Sequence, residues 1–172
     1  MADILPSVTE TQAFTVLGQV IQSVVGCPVI RGQVNRTAMP AGDFIVMTQK
    51  SMTRLATNTV EYTTITAKTI MQPVKWAIQI DCYGILAADR AASISTILRD
   101  EFATEQFAAL GYDMQTLYTD DAQQMPLISG EEQYIERWMF NAVLQLNPKL
   151  TVAIETPSTL TMNTINVPVT YP

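Results

Sequence analysis

Histidine is absent from the 172 residues of this chain, and cysteine occurs only at Cys27 and Cys82. Histidine is the commonest general base and the commonest metal ligand in proteins, so its absence excludes most hydrolytic triads and the histidine-containing zinc sites. The two cysteines are 55 residues apart and form no CxxC pair, and we expect both to be buried as small apolar side chains without a disulfide. The seven glycines are scattered and form no phosphate-binding loop. The sequence therefore predicts neither an enzyme nor a cofactor.

Charged residues are also scarce, at 15% of the chain against 48% apolar residues. So few charges cover the surface of a monomer poorly, which favours a homo-oligomer. The charges are uneven: residues 31–75 carry six basic and two acidic groups, a net +4, whereas residues 89–136 carry two basic and ten acidic groups, a net −8. This asymmetry is typical either of solvated faces or of complementary contact between copies. With a pI near 4.5 and no basic stripe, specific nucleic-acid binding is disfavoured.

The length fits one ordinary domain, which buries roughly 70% of the surface that its unfolded chain exposes. We predict a single domain over residues 1–155 and a C-terminal tail over residues 156–172, which contains no charged residue. No apolar run is long enough to cross a bilayer, and the N-terminus MADILPSVTE lacks the layout of a signal peptide. We therefore expect no membrane association, and assembly in the cytoplasm where the chain is made.

A change of hydrophobic period marks the centre of the chain. Apolar and other residues alternate from Val74 to Cys82, which predicts a half-buried strand. After Gly84 helical spacing predicts a helix over about 87–110, with a break into two pieces at Thr104 as the alternative. The remaining predicted elements are a helix over 9–25, opened by a capping box of Ser7 and Glu10, and strands that begin at Phe44 and cover 134–146 and 150–155. This order predicts an α+β (mixed α/β) fold, with a mostly antiparallel sheet and two helices on one face.

Residues 48–68 keep strand-forming side chains but lose a continuous apolar face. We interpret them as a long protruding β-hairpin with a turn near Asn58, whose tip extends past the core; a disordered loop is the alternative. Its basic residues Lys50, Arg54 and Lys68 are candidates to contact acidic groups of another subunit.

The best remaining set of catalytic side chains consists of carboxylates around residues 113–132. Asp113, Asp120 and Asp121, with Glu131 and Glu132, could bind a divalent cation or hydrolyse a glycoside. Their spacing does not match an EF-hand, and acidic loops are usually solvated. We therefore treat the three aspartates as candidate interface residues, with a carboxylate-dependent hydrolase as the less favoured alternative.

Two further patterns concern pairing. Asp81 and Arg137 lie on the less apolar faces of their strands, and we expect them to pair across adjacent strands.

The uncharged tail keeps strand-compatible apolar residues at Leu160, Met162, Ile165 and Val167. We expect this tail to become ordered only in an assembly, by pairing with a strand edge or lying on a neighbour.

Five segments in a fixed order carry a resemblance to a known family. They are NRTAMPAGDFIVMT (35–48), IQIDCYG (78–84), DRAASISTILRDEFA (89–103), QYIERW (133–138) and LQLNP (144–148). In this order the chain resembles the neck and tail-terminator proteins of long-tailed bacteriophages from about Asn35 to Pro148. It departs from the family pattern at Ala122, where those proteins tend to carry a proline.

The resemblance implies a structural virion protein rather than a catalyst. It implies a ring, of six subunits, at the head-proximal end of the phage tail, which ends tail-tube assembly and joins the tail to the head connector. The implied partners are further copies of the chain, the tail tube protein, the head–tail connector or adaptor protein and, as a further candidate, the sheath protein. Genome DNA would pass through the ring without specific binding. A head-completion or adaptor protein of the same neck is the alternative.

Overall fold

The computed structural model describes residues 4–34, 39–125, 127–128 and 134–155. The helices are α1 (Glu10–Val24), α2 (Ala87–Leu98) and α3 (Glu101–Ala109). The strands are β1 (Val29–Arg31), β2 (Phe44–Arg54), β3 (Thr59–Thr64), β4 (Ala67–Met71), β5 (Val74–Tyr83), β6 (Met114–Thr119), β7 (Gln123–Gln124), β8 (Leu127–Ile128), β9 (Tyr134–Ile135), β10 (Arg137–Leu146) and β11 (Lys149–Ala153). The α+β fold with a mostly antiparallel sheet is thus confirmed.

The main sheet has the strand order β1-β2-β5-β10-β6, and β7 also pairs with β10. Only β1 runs parallel to its neighbour β2, while β5 is antiparallel to both β2 and β10. The predicted alternation places Trp76, Ile78 and Ile80 on one face of β5, where each is fully buried. The core cluster joins this face to all three helices, so the helices lie on one side of the main sheet.

The helices differ from the prediction in number and in their caps. Residues 87–110 form two helices rather than one, because the Asp100 side chain accepts a hydrogen bond from the Phe102 N–H at 3.0 Å and starts α3. The first helix is capped by Thr9 and Gln12, not by Ser7 and Glu10. Ser7 instead exchanges hydrogen bonds with Lys149, which fixes the start of the chain to β11.

A second, three-stranded sheet, which we call the outer sheet, has the order β11-β4-β3. The strands β2 and β3 run outward in succession, the chain turns at Ile65–Thr66, and β4 and β5 return. This hairpin therefore turns later than predicted: β2 stays paired with β5 until Arg54 meets Val74, and Asn58 lies in the connection between the two sheets.

Candidate interaction surfaces

The outer sheet lies beyond the hydrophobic core. Among the described residues, the core cluster and the side chains packed on it include none from β3, β4 or β11. Every residue of β3 is exposed, and Ile65 at the turn is 82% exposed. Such an element contributes little to burial within one subunit, so its surface is available to a partner.

Hydrogen bonds hold the two sheets together at their junction. The Leu55 N–H donates to the carbonyl of Pro73 at 3.0 Å, and the Gln72 N–H donates to that of Pro148 at 3.1 Å. The side-chain amide of Gln72 also donates to the Ala56 carbonyl at 2.9 Å. The outer sheet is therefore a hydrogen-bonded continuation of the strand pairs of the main sheet.

The three basic residues predicted to contact a neighbour occupy different positions on this hairpin. Lys50 is the extra residue at a β-bulge where the pairing of β2 with β5 shifts, and Arg54 ends β2; both are exposed. Lys68 is half-buried in β4. None of the three is in an ion pair with another described residue.

Asp113 is not brought together with Asp120 and its exposed chain neighbour Asp121. Asp113 precedes β6 and accepts a hydrogen bond from the Asn147 side chain at 3.0 Å. Asp120 follows β6 and accepts one from the Asn141 side chain at 2.9 Å, so the length of that strand separates the two carboxylates. In the described part of the chain no group of three acidic or cysteine side chains is placed to hold a metal ion. Glu131 and Glu132 lie outside the described residues, so the described carboxylates alone assemble no pair for a hydrolase.

A tight turn projects apolar side chains at the end of the main sheet opposite the outer sheet. Gly84 adopts a φ of +105°, and its N–H donates to the Glu136 carbonyl at 3.1 Å. Ile85 is then 88% exposed and shares a cleft with Glu136 and Tyr134, which is 77% exposed. This surface was not predicted from the sequence, although apolar residues directly after a strand-ending glycine and outside the helical period were a signal.

Asp43 braces the same turn from the start of β2. One carboxylate oxygen of Asp43 accepts from the Arg90 guanidinium at 2.7 Å, and the other accepts from the Ile85 N–H at 3.3 Å. A Cβ at position 84 would lie 1.8 Å from Oδ1 of Asp43, so only glycine fits at this position. The turn is therefore rigidly positioned.

The predicted pair of Asp81 and Arg137 is confirmed. The guanidinium Nη2 of Arg137 lies 2.8 Å from Oδ1 of Asp81, and the Gln79 amide donates to both carboxylate oxygens at 2.9 Å. Asp81 is 3% exposed, so these bonds satisfy a buried charge. The pair stabilises the face of the main sheet that bears no helices and has no catalytic partner among the described residues.

Both cysteines are buried and free, as expected. Burial raises the pKa of the Cys82 thiol to about 12, and burial likewise raises the pKa of Cys27. Both thiols are therefore protonated at neutral pH and are poor nucleophiles.

Comparison with protein families decides between the remaining classes. The model of the phage neck terminator proteins matches residues 12–172. The chain belongs to this family. The match extends the resemblance beyond residues 35–148 to most of α1 and to the C-terminal tail. No curated protein matches the chain.

This neck terminator is accordingly a structural protein of the phage virion, in its tail and neck. A structural family argues against an enzyme. None of the described helices has the length and apolar character needed to span a membrane. The interface candidates Leu160, Met162, Ile165 and Val167 fall outside the described residues.

Proposed function

We propose that this neck terminator forms a homo-oligomeric ring, of six subunits, at the head-proximal end of the tail. The observation that carries the proposal is the outer sheet, which is hydrogen-bonded to the main sheet and yet contributes no residue to the described core cluster. The low charge content of the chain supports the same interpretation, because a surface with few charges is best covered by neighbours.

In this ring the subunit stops polymerisation of the tail tube and presents a surface to the head connector. Its partners are the tail tube protein and the connector or adaptor protein, with the sheath protein as a further candidate where the tail is contractile. Lys50, Arg54, Lys68, Asp113, Asp120 and Asp121 are candidate contact residues. The net charge of −6 would repel phosphates, so that genome DNA slides through the ring without sticking.

Mass measurement of the purified protein, alone and mixed with tail tubes, tests this function. We expect a ring to form either in solution or on tube ends, and tubes capped by it to stop elongating when tube protein is added. Tubes that continue to grow at the same rate with the protein present would contradict the terminator role. Location of the labelled subunit above the connector in purified particles would instead support the adaptor alternative.

We also propose that the C-terminal tail, residues 156–172, contributes to this assembly by adding a strand to a neighbour. It is separated by two residues from β11, which is an edge strand of the outer sheet, and it carries apolar residues without any charge. Edge strands offer unpaired backbone groups that an extended segment can satisfy.

A further inference from the structure

One face of the outer sheet is apolar across all three strands. Residues directly opposite each other in adjacent strands share a face, so the register defines two rows on this face. The rows are Val60–Ile70–Leu150 and Tyr62–Lys68–Val152. The opposite face carries polar rows such as Glu61–Thr69–Thr151. We call the first face the apolar outer face.

Within the described residues, nothing of the core packs on the apolar outer face. Tyr62 is 71% exposed and Val60 is 47% exposed, whereas Ile70 and Leu150 are half-buried between neighbouring strands. A small sheet with an open apolar face gains stability when that face is covered. Lys68 is the one charged group in the two rows, so a matching surface would be apolar with a carboxylate.

The turn at the other end of the main sheet offers that chemistry. Its exposed apolar side chains are Ile85, Leu86 and Tyr134. Two exposed carboxylates belong to the same region: Glu136 lines the cleft of Ile85 and Tyr134, and Asp89 lies in the first turn of α2, three residues after Leu86. Neither is in an ion pair with a described residue, whereas the nearby Asp43 is neutralised by Arg90. We call this the turn surface.

We propose that the apolar outer face of one copy docks on the turn surface of the next copy, with Lys68 facing Asp89 and Glu136. The two surfaces lie at opposite ends of the same subunit, so the contact is head-to-tail rather than self-complementary. Head-to-tail contacts generate closed rings when the rotation between copies closes. The inference rests on the proposed ring and names the surfaces that build it.

Single substitutions on each surface test the inference by a mixing experiment. Tyr62→Asp places a charge on the apolar outer face, and Ile85→Asp places one on the turn surface; both side chains are exposed, so the subunit should remain folded. We expect each variant alone to lose the ring. Mixed in equal amounts, they should form a heterodimer through their one intact pair of surfaces, seen by native mass spectrometry. Variants that assemble like the wild-type chain would overturn the proposed surfaces.

Charge reversal tests the role of Lys68. We expect Lys68→Glu to weaken assembly at least tenfold at low salt, and addition of Asp89→Lys and Glu136→Lys to restore it in part. Lys149→Glu is the matched control, because Lys149 is exposed on the opposite face of the outer sheet and should not affect assembly. Equal effects of the two lysine reversals would contradict the proposal.

Measurements on the wild-type chain distinguish a failure of this inference from a failure of the proposed function. If the wild-type chain forms rings, alone or on tail tubes, and the Tyr62→Asp and Ile85→Asp variants form them too, only the docking surfaces are overturned. Wild-type chain that forms a ring in neither condition would overturn the ring itself, and the inference with it.

Discussion

At the scale of single residues, the thiol of Cys82 links the stability of this fold to alkaline pH. Its pKa is about 12 in the folded chain because of burial, against 9.0 when exposed, so above pH 9 the unfolded chain loses a proton that the folded chain keeps. The free energy of unfolding should therefore fall by about 1 kcal/mol for each pH unit between pH 9 and 12. Urea titrations at several pH values measure the slope. Cys82→Ala should make the slope shallower, leaving the contribution of the Cys27 thiol, and an unchanged slope in that variant would contradict the assignment.

The pair of Asp81 and Arg137 gives a second test at this scale. Replacing Arg137 by Met leaves the Asp81 carboxylate buried without its main partner, which should lower the free energy of unfolding by about 3–5 kcal/mol. Glu10→Gln is the control, because Glu10 pairs with Arg31 on an exposed surface and its loss should cost less than about 1 kcal/mol. If chemical denaturation shows a similar loss of unfolding free energy in both variants, the buried pair stabilises the fold no more than the exposed one.

The sequence allowed the pair of Asp81 and Arg137 to be predicted, but not the pair of Asp43 and Arg90. Asp81 and Arg137 stand on strands with clear alternation, which fixes the face of each side chain. Asp43 and Arg90 are 47 residues apart, and Asp43 lies in a connection without a period, so nothing local indicates that they meet. The turn surface that Asp43 supports was also missed, although the apolar residues that follow Gly84 were a local signal.

At the scale of elements, the turn between β5 and α2 depends on Gly84. Ala at this position would place a Cβ against Asp43 and would be strained at φ +105°, so Gly84→Ala should destabilise the fold by roughly 1–3 kcal/mol. Gly26→Ala is the matched control, since a Cβ there meets no atom within 4 Å and the backbone has no positive φ. Thermal unfolding of both variants checks the difference. Equal melting temperatures would argue against strain at Gly84.

Strongly periodic elements were predictable and weakly patterned ones were not. The alternation in β5 and β10 reflects burial on one face, so their positions followed from the sequence. In residues 48–68 burial imposes no pattern, and the sequence could not place the turn at Ile65–Thr66 rather than at Asn58. The break between α2 and α3 depends on the capping hydrogen bond of Asp100, which competes with continuation of the apolar stripe.

At the scale of the whole molecule, deletion of residues 158–172 should separate folding from assembly. The core cluster lies within the first 146 residues, so the truncated chain should stay soluble and folded by circular dichroism. If the tail adds a strand to a neighbour, the same truncation should leave filled heads and unjoined tails in infected cells. Normal particles from the truncated chain would contradict the role proposed for the tail.

The fold class was predictable from hydrophobic period, but the contacts between molecules were not. Composition indicated only that some surface should be covered, because the charged fraction is low. The structure supplies two unlike surfaces at opposite ends of the main sheet, and their relative position depends on strand registers that no local pattern encodes.

The continuity of the hairpin also has a mechanical consequence. β3 and β4 continue through hydrogen-bonded junctions into β2 and β5, at the centre of the main sheet. A pull on the Ile65 turn along the strands therefore loads many backbone hydrogen bonds in shear at the same time, instead of opening them one by one. Such an arrangement resists tension along the strands better than a hairpin on a flexible loop, which suits a structural protein of the virion.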